Sequence, residues 1–563
     1  MATFNKPGAK ARVTSQVATT GTTKTFEGAS GFTRSPLSDL YLLSVSNLVG
    51  KDAFYERADD RNERYVDLLH GTALLEQRHV TAMLPWLRTD GYMRTTSLLA
   101  AGEAAKVLCD EHRYDGVEDM VDGVLQRADE PGEFIAYWFS IAGKAWPKRY
   151  LPVKKGLKRA VARLYTEYAY AKYDSPRRAY RFADVIDIVH PAPVAQWQSD
   201  LFRLILDRRH GHSGAITPTL SMTRNQREWR QAAASVPRKA SAEYIYGSGL
   251  IAPQVLKDAG LTWEDVLSEL GGKVDKKLLW EAMIPTMAPG ALIKNLRNFD
   301  EEGISDASAD IVAKVLSDGE RVRRARLFPY RFLSAYRALS SLRWGHALER
   351  GLAGSLELVP TLRGKTLILV DRSPSMFPGG WGSTPNKSDI SLADQAALFG
   401  AALAMKAQDA KLVEFGGDQA LGGWNSRGGG AGSRTVNVPR GASVLKVVES
   451  FGPSINGTDI PRAVKDNFTS EFNRVVIVTD EQSRPGWLPS NMGGRVYGMP
   501  ETRIDDLIPK NVPVYLWNMA GYAGSILETG GTNRHCFGGL SDASFGLIQL
   551  LEQGKNAPWP WMK

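Results

Sequence analysis

Apolar residues recur three and four positions apart through most of the first 360 residues. Leu40–Leu48, Arg61–Leu75, Gly156–Ala171 and Ala307–Leu316 each carry the spacing of a helix with one buried face. Helix-start signals accompany it, with Asp59 and Asp60 before one helix and Thr262-Trp263-Glu264-Asp265 before another. Alternation of the strand type is scarce. A run of roughly a dozen helices with so little strand predicts paired helices stacked as a solenoid or ring, although no clean sequence repeat marks the period.

The texture changes near Arg363. Continuous apolar runs now alternate with helical stretches: Thr366–Asp371 (TLILVD), helix Leu392–Ala407, strand Lys411–Phe415, helices Val444–Ser450 and Ile460–Asn467, strand Arg474–Asp480 (RVVIVTD), strand Val512–Asn518 and a closing helix Ala543–Gln553. Strands without polar alternation are buried on both faces, which predicts a doubly wound α/β sheet of parallel strands. Gly416–Thr435 is glycine-rich and reads as a long loop. The boundaries that follow are an N-terminal flexible basic arm (1–30), a helical module (31–360), an α/β domain (361–556) and a tail (557–563) whose two Trp and two Pro predict packing onto a domain surface.

The ends of the two best strands carry the candidate chemistry. Asp371 leads into Arg372-Ser373-Pro374-Ser375, so a carboxylate and two hydroxyls stand within five residues of a strand end; a second strand ends at Asp480, and Gly457-Thr458 opens a helix between them. In open α/β sheets ligands collect at the carboxyl ends of strands. Carboxylates and hydroxyls are hard oxygen donors suited to Mg²⁺ or another divalent cation. Asp-x-Ser-x-Ser alone is weak and more often a capped turn. With a second strand-end carboxylate and the Gly-Thr loop, Asp371, Ser373, Ser375, Thr458 and Asp480 become the candidate metal set.

Charge locates a second kind of site. The 563 residues carry a net charge of +9, and residues 361–563 hold 20 Lys and Arg against 18 Asp and Glu, which leaves +7 in the first 360. The excess is mild, so clustering carries the argument. As a helix, Val153–Leu164 (VKKGLKRAVARL) puts Val153, Leu157, Ala160, Val161 and Leu164 on one side. Lys154, Lys155, Lys158, Arg159 and Arg163 lie on the other with no acid among them. Lys172, Arg177, Arg178 and His190 follow, interleaved with tyrosines; core packing accounts for most of those tyrosines, and His190 alone reads as structural. Two distant cysteines, Cys109 and Cys536, fit a reducing, cytoplasmic compartment, and no apolar run is long enough for a transmembrane helix.

The Asp371–Asp480 constellation resembles a von Willebrand factor A domain with a metal-ion-dependent adhesion site. The resemblance implies that Ser373, Ser375 and Thr458 coordinate directly while Asp371 and Asp480 act often through water, leaving one position open to a partner's acidic group. In the helical half, Leu40–Tyr55, Arg127–Trp138, Lys155–Ala162, Arg181–Pro191, Trp280–Asp300 (WEAMIPTMAPGALIKNLRNFD) and Phe328–Ala338 (FPYRFLSAYRA) resemble the TROVE module of the Ro autoantigen family, including its bacterial and phage relatives. A TROVE module followed by an A domain is the Ro architecture.

That resemblance implies an α-helical HEAT-like repeat ring closed by the A domain. It further implies binding of Y-like small structured non-coding RNA on a basic outer face, passage of misfolded or single-stranded RNA ends through a positive hole, and tethering through RNA to a ribonuclease such as polynucleotide phosphorylase. By motif position, Lys172, Arg177 or Arg178, and His190 fall on the RNA-binding outer surface. The alternative is a protein-adhesion scaffold acting mainly through the A domain and an acidic protein ligand. An enzyme is disfavoured: Gly364-Lys365-Thr366 mimics the end of a phosphate-binding loop, but Val359 stands where its first glycine is required.

Overall fold

A computed structural model describes residues 16–46, 53–339, 341–377, 390–417, 432–439, 441–455, 457–484, 501–531, 533–541, 545–554 and 558–562. It is mostly helical, with one six-stranded mixed sheet. Among the described residues twenty α-helices precede the sheet, from Pro36–Ser46 to Gly345–Ser355. The periodicity suggested about a dozen because many are short. Helices such as Pro253–Asp258 and Gly319–Arg324 complete too few turns to show a repeat. Gly156–Ala171 is two helices, Leu151–Leu164 and Glu167–Tyr173, separated where Thr166 turns extended and caps the second through Ala169 N. The Thr262 signal is a full capping box with Asp265.

Before the helices, strands β1 (Thr19–Lys24) and β2 (Ser30–Arg34) pair as an antiparallel hairpin. This corrects the expectation of a flexible arm over its described part; the arm's first fifteen residues lie outside the described ones. The sheet comprises β3 (Leu362–Asp371), β4 (Ala407–Phe415), β5 (Ser433–Val436), β6 (Arg474–Thr479), β7 (Val514–Asn518) and β8 (Arg534–Gly538), in the order β5-β4-β3-β6-β7-β8. All pairings are parallel except β4 with β5. Every residue of β6, β7 and β8 is buried, as continuous apolar strands require of a sheet covered on both faces. Most of Gly416–Thr435 lies outside the described residues, but its last part is not loop: it is the edge strand β5. The Gly364-Lys365-Thr366 mimic sits inside β3, so it forms no phosphate-cradling loop.

The α/β half touches both ends of the helical run. Gly538 of β8 lies against Leu42 and Val45 of the first helix, while Arg337, near the end of the run, pairs with Asp394 at 2.8 Å. Within the run, Tyr92 meets Phe328 edge to face at 5.8 Å, joining inter-helix connections more than two hundred residues apart. The tail's Trp559 and Trp561 stack on each other and pack against Tyr41 and Trp86, which settles the surface they cover. Both cysteines are free and buried, and among the described residues no helix is long and apolar enough to cross a membrane.

Candidate metal centre and cationic surface

Strand order places the candidate metal residues. The chain leaves β3 on one side towards β4 and returns on the other through β6, so the β3–β6 boundary is the switch point at which a crevice opens beyond the strand ends. Asp371 ends β3 and Asp480 follows β6. Ser373 N donates to Asp371 Oδ1 at 2.8 Å, bending the chain so that the Ser373 and Ser375 hydroxyls lie 3.1 Å apart. Thr479 Oγ1 donates to Asp371 Oδ2 at 2.6 Å, tying the two strand ends together.

Thr458 arrives on a loop held by main-chain bonds. Ile455 N donates to Arg372 O at 2.7 Å, Gly417 N to Gly457 O at 2.9 Å, and Arg484 N to Thr458 O at 2.9 Å. Gly457 has φ +69°, a left-handed turn where a side chain would also strike the Arg484 guanidinium. Asp459 is not a further ligand: its carboxylate caps the next helix by accepting from Arg462 N at 2.9 Å, and burial pushes it up to about 6. Asp371, Ser373, Ser375, Thr458 and Asp480 are all buried.

The donor set fits a hard divalent cation. Burial holds the Asp371 carboxyl above its ordinary range; burial and the neighbouring Asp371 do the same to Asp480. Asp480 Oδ1 accepts from Gln482 N at 3.0 Å, but its buried Oδ2 has no hydrogen-bond partner among the described residues. Two buried carboxylates with an orphaned oxygen are costly unless a cation or protons compensate. Among the described residues no group of three or more His, Cys, Asp or Glu is arranged for a metal, as expected of a set in which hydroxyls supply most donors.

Sequence reasoning missed the polar neighbours of this site. Glu481 has φ +67°, and its buried carboxylate binds Arg34 of β2, Asn518 Nδ2 at 2.6 Å and Ile526 N at 3.1 Å. Thr479-Asp480-Glu481 at a strand end was the available signal. Its partner Arg34 could not be found from spacing, because it comes from the opposite end of the chain.

The cationic helix Leu151–Leu164 buries Val153, Gly156, Leu157, Ala160 and Val161, close to the predicted face. Its opposite face is less free than its own sequence implies. The acid-free reading covered one helix, but Val117–Val124 packs alongside and supplies acids. Arg159 pairs with Asp119 at 2.6 Å and Asp122 at 3.3 Å, and Arg163 with Asp122 at 2.9 Å. Arg178 is likewise engaged, with Asp129 at 2.7 Å and Glu133 at 2.6 Å. Lys154, Lys155, Lys158, Lys172 and Arg177 have no carboxylate partner among the described residues. Lys154 lies over the Trp146 ring, and Lys172 over Tyr168 and Tyr173. His190 is the exposed C-cap of Phe182–Val189, with φ +54°.

Residues 231–348 match the TROVE domain family. This segment holds the Trp280–Asp300 and Phe328–Ala338 blocks but is narrower than the 31–350 span over which the wording is similar. No curated protein sequence matches the chain. The fold is similar to the crystal structure of the Deinococcus radiodurans RO (RSR) protein, at 16% sequence identity and a TM-score of 0.56, covering 90% of this chain and 99% of that one.

Proposed function

We propose that this chain is a Ro-type RNA-binding protein. Its helical module takes Y-like small structured RNA, and misfolded or single-stranded RNA ends, in ribonucleoprotein assembly or RNA quality control in the cytoplasm. The observation that carries the reading is the group of cations without carboxylate partners among the described residues, Lys154, Lys155, Lys158, Lys172 and Arg177, in a chain whose 231–348 segment matches the TROVE domain family. Lysine and arginine free of internal ion pairs can release counterions from phosphates. Those already paired must first lose a carboxylate. A ribonuclease such as polynucleotide phosphorylase would be a partner through the RNA, not through a protein contact.

In the same reading the α/β half is a von Willebrand A domain holding Mg²⁺ or a similar ion between Ser373, Ser375 and Thr458, with Asp371 and Asp480 behind them. The ion would supply positive charge that pins three loops at one strand-end crevice. We read the centre as structural or ligand-binding and not hydrolytic, since Asp371 is already engaged by Thr479 and Ser373 and is badly placed to act as a general base.

The pairing pattern chooses the test. Lys172→Ala with Arg177→Ala should weaken binding of a small structured RNA about tenfold in a filter assay at moderate salt, with folding intact. Arg159→Ala, which removes a cation held by acids, should cost little. Equal effects of the two variants would show that the surface is placed wrongly.

A further inference from the structure

The crevice beyond β3 and β6 is covered by this chain's own N-terminal segment. The β1–β2 turn carries Phe26 and Glu27. Phe26 N donates to Gln482 Oε1 at 2.8 Å, and Gln482 N donates to Asp480 Oδ1. Thr25 Oγ1 donates to Ser483 O at 2.7 Å. The hairpin is anchored farther back by a two-way main-chain bridge between Phe32 and Ser525 and by the buried Arg34–Glu481 pair. Tyr55 completes the cover. Its ring stacks on Phe26 at 5.1 Å with 2° between planes, and meets Phe54 and Tyr522 edge to face. Its hydroxyl donates to Glu27 Oε1 at 2.7 Å. Arg484 Nε donates to the other Glu27 oxygen at 3.2 Å, and the same guanidinium lies against Gly457, beside Thr458.

We infer that the metal centre is closed in cis: Tyr55 and Glu27 occupy the face that an adhesion site leaves to a partner's acid, so that binding of a divalent cation and docking of the N-terminal hairpin are one coupled equilibrium. This rests on the metal reading above. Charge supports it. Glu481 is neutralised by Arg34; among the described residues Asp371, Asp480, Asp459 and Glu27 stand against Arg372 and Arg484, a formal −2 that one divalent cation balances. Geometry supports it as well. The phenol is a neutral oxygen donor held by three rings, and it relays an acid already aligned by an arginine. An external acidic ligand would have to displace this cover.

The test uses the full chain and Mn²⁺ alone, with calorimetric titration and hydrogen exchange. Coupling between two sites is reciprocal. Glu27→Gln and Tyr55→Phe should each weaken Mn²⁺ binding, the first by about tenfold, within the usual range of such couplings. In the wild type, Mn²⁺ should slow exchange at the Phe26 and Ala29 amides. Unchanged or tighter Mn²⁺ binding in Glu27→Gln, or hairpin exchange indifferent to Mn²⁺, would overturn closure in cis while leaving the metal site standing. Binding that survives Asp371→Ala, or is absent from the wild type, would instead overturn the metal reading and this inference with it.

Discussion

His535 sits in β8 with a buried imidazole whose Nδ1 finds no hydrogen-bond partner among the described residues. Burial, aided by the adjacent Arg534, pushes its pKa down to about 4 from an unfolded value near 6.5. The unfolded chain therefore takes the proton first, and stability is lost as pH falls from about 6.5 towards 4. The full effect is on the order of 3 kcal/mol. Thermal denaturation between pH 7.5 and 4.5 checks it: His535→Gln should flatten this part of the profile, and an unaltered slope would assign the acid limb to other groups. The same residue shows why β8 escaped the sequence pattern. Arg534-His535 does not look like the start of a buried strand. It is one because Arg534 donates to Asp505, to Ile508 O at 2.7 Å and to Val512 O at 2.9 Å.

Elements were legible where they were long or where one residue type dominated. Strand β6 and the helix Leu392–Lys406 end within one residue of their predicted bounds, and the buried part of β3 is the predicted Thr366–Asp371, because burial on both faces demands uninterrupted apolar sequence; β3 itself begins earlier, at Leu362, through less buried residues. The hairpin β1–β2 was not legible. Thr19–Lys24 is a polar strand, and what holds it is docking against residues 481–484 and 522–529, far away in sequence. Likewise the five candidate metal residues could be read from two strand ends and one loop, whereas Glu27 and Tyr55 could not, since nothing local marks them. The tail shows the intermediate case: its composition announced packing, and the structure supplies the partners. Trp561, 9% exposed, lies 5.6 Å from Trp86 and 5.5 Å from Tyr41 by ring centroids. Trp561→Ala should cost about 3 kcal/mol, at the lower end for a buried aromatic. Chemical denaturation measures this, and a loss below a few tenths of a kcal/mol would mean that the tail is an ornament on the first helices.

At the scale of the whole molecule, the two halves are built to hold one another. The first helix packs on β8, Arg337 reaches Asp394, and the hairpin that precedes all helices covers the strand-end crevice. With Tyr92 against Phe328, the helical run is joined both to itself and at its two ends to the sheet. Such a frame keeps the helical half's cations fixed in relation to each other, which under the proposed function suits a structured polyanion better than a flexible one: the phosphates of a folded RNA are also fixed, and several contacts can form without further ordering cost. The most direct measurement is the affinity of the full chain for a small structured RNA as salt is raised from 50 to about 200 mM. The account predicts a linear fall of log K with log salt, with a slope corresponding to several phosphate contacts, made shallower in the Lys172→Ala, Arg177→Ala variant. Affinity that is absent at low salt, or that stays level across the series, would contradict it.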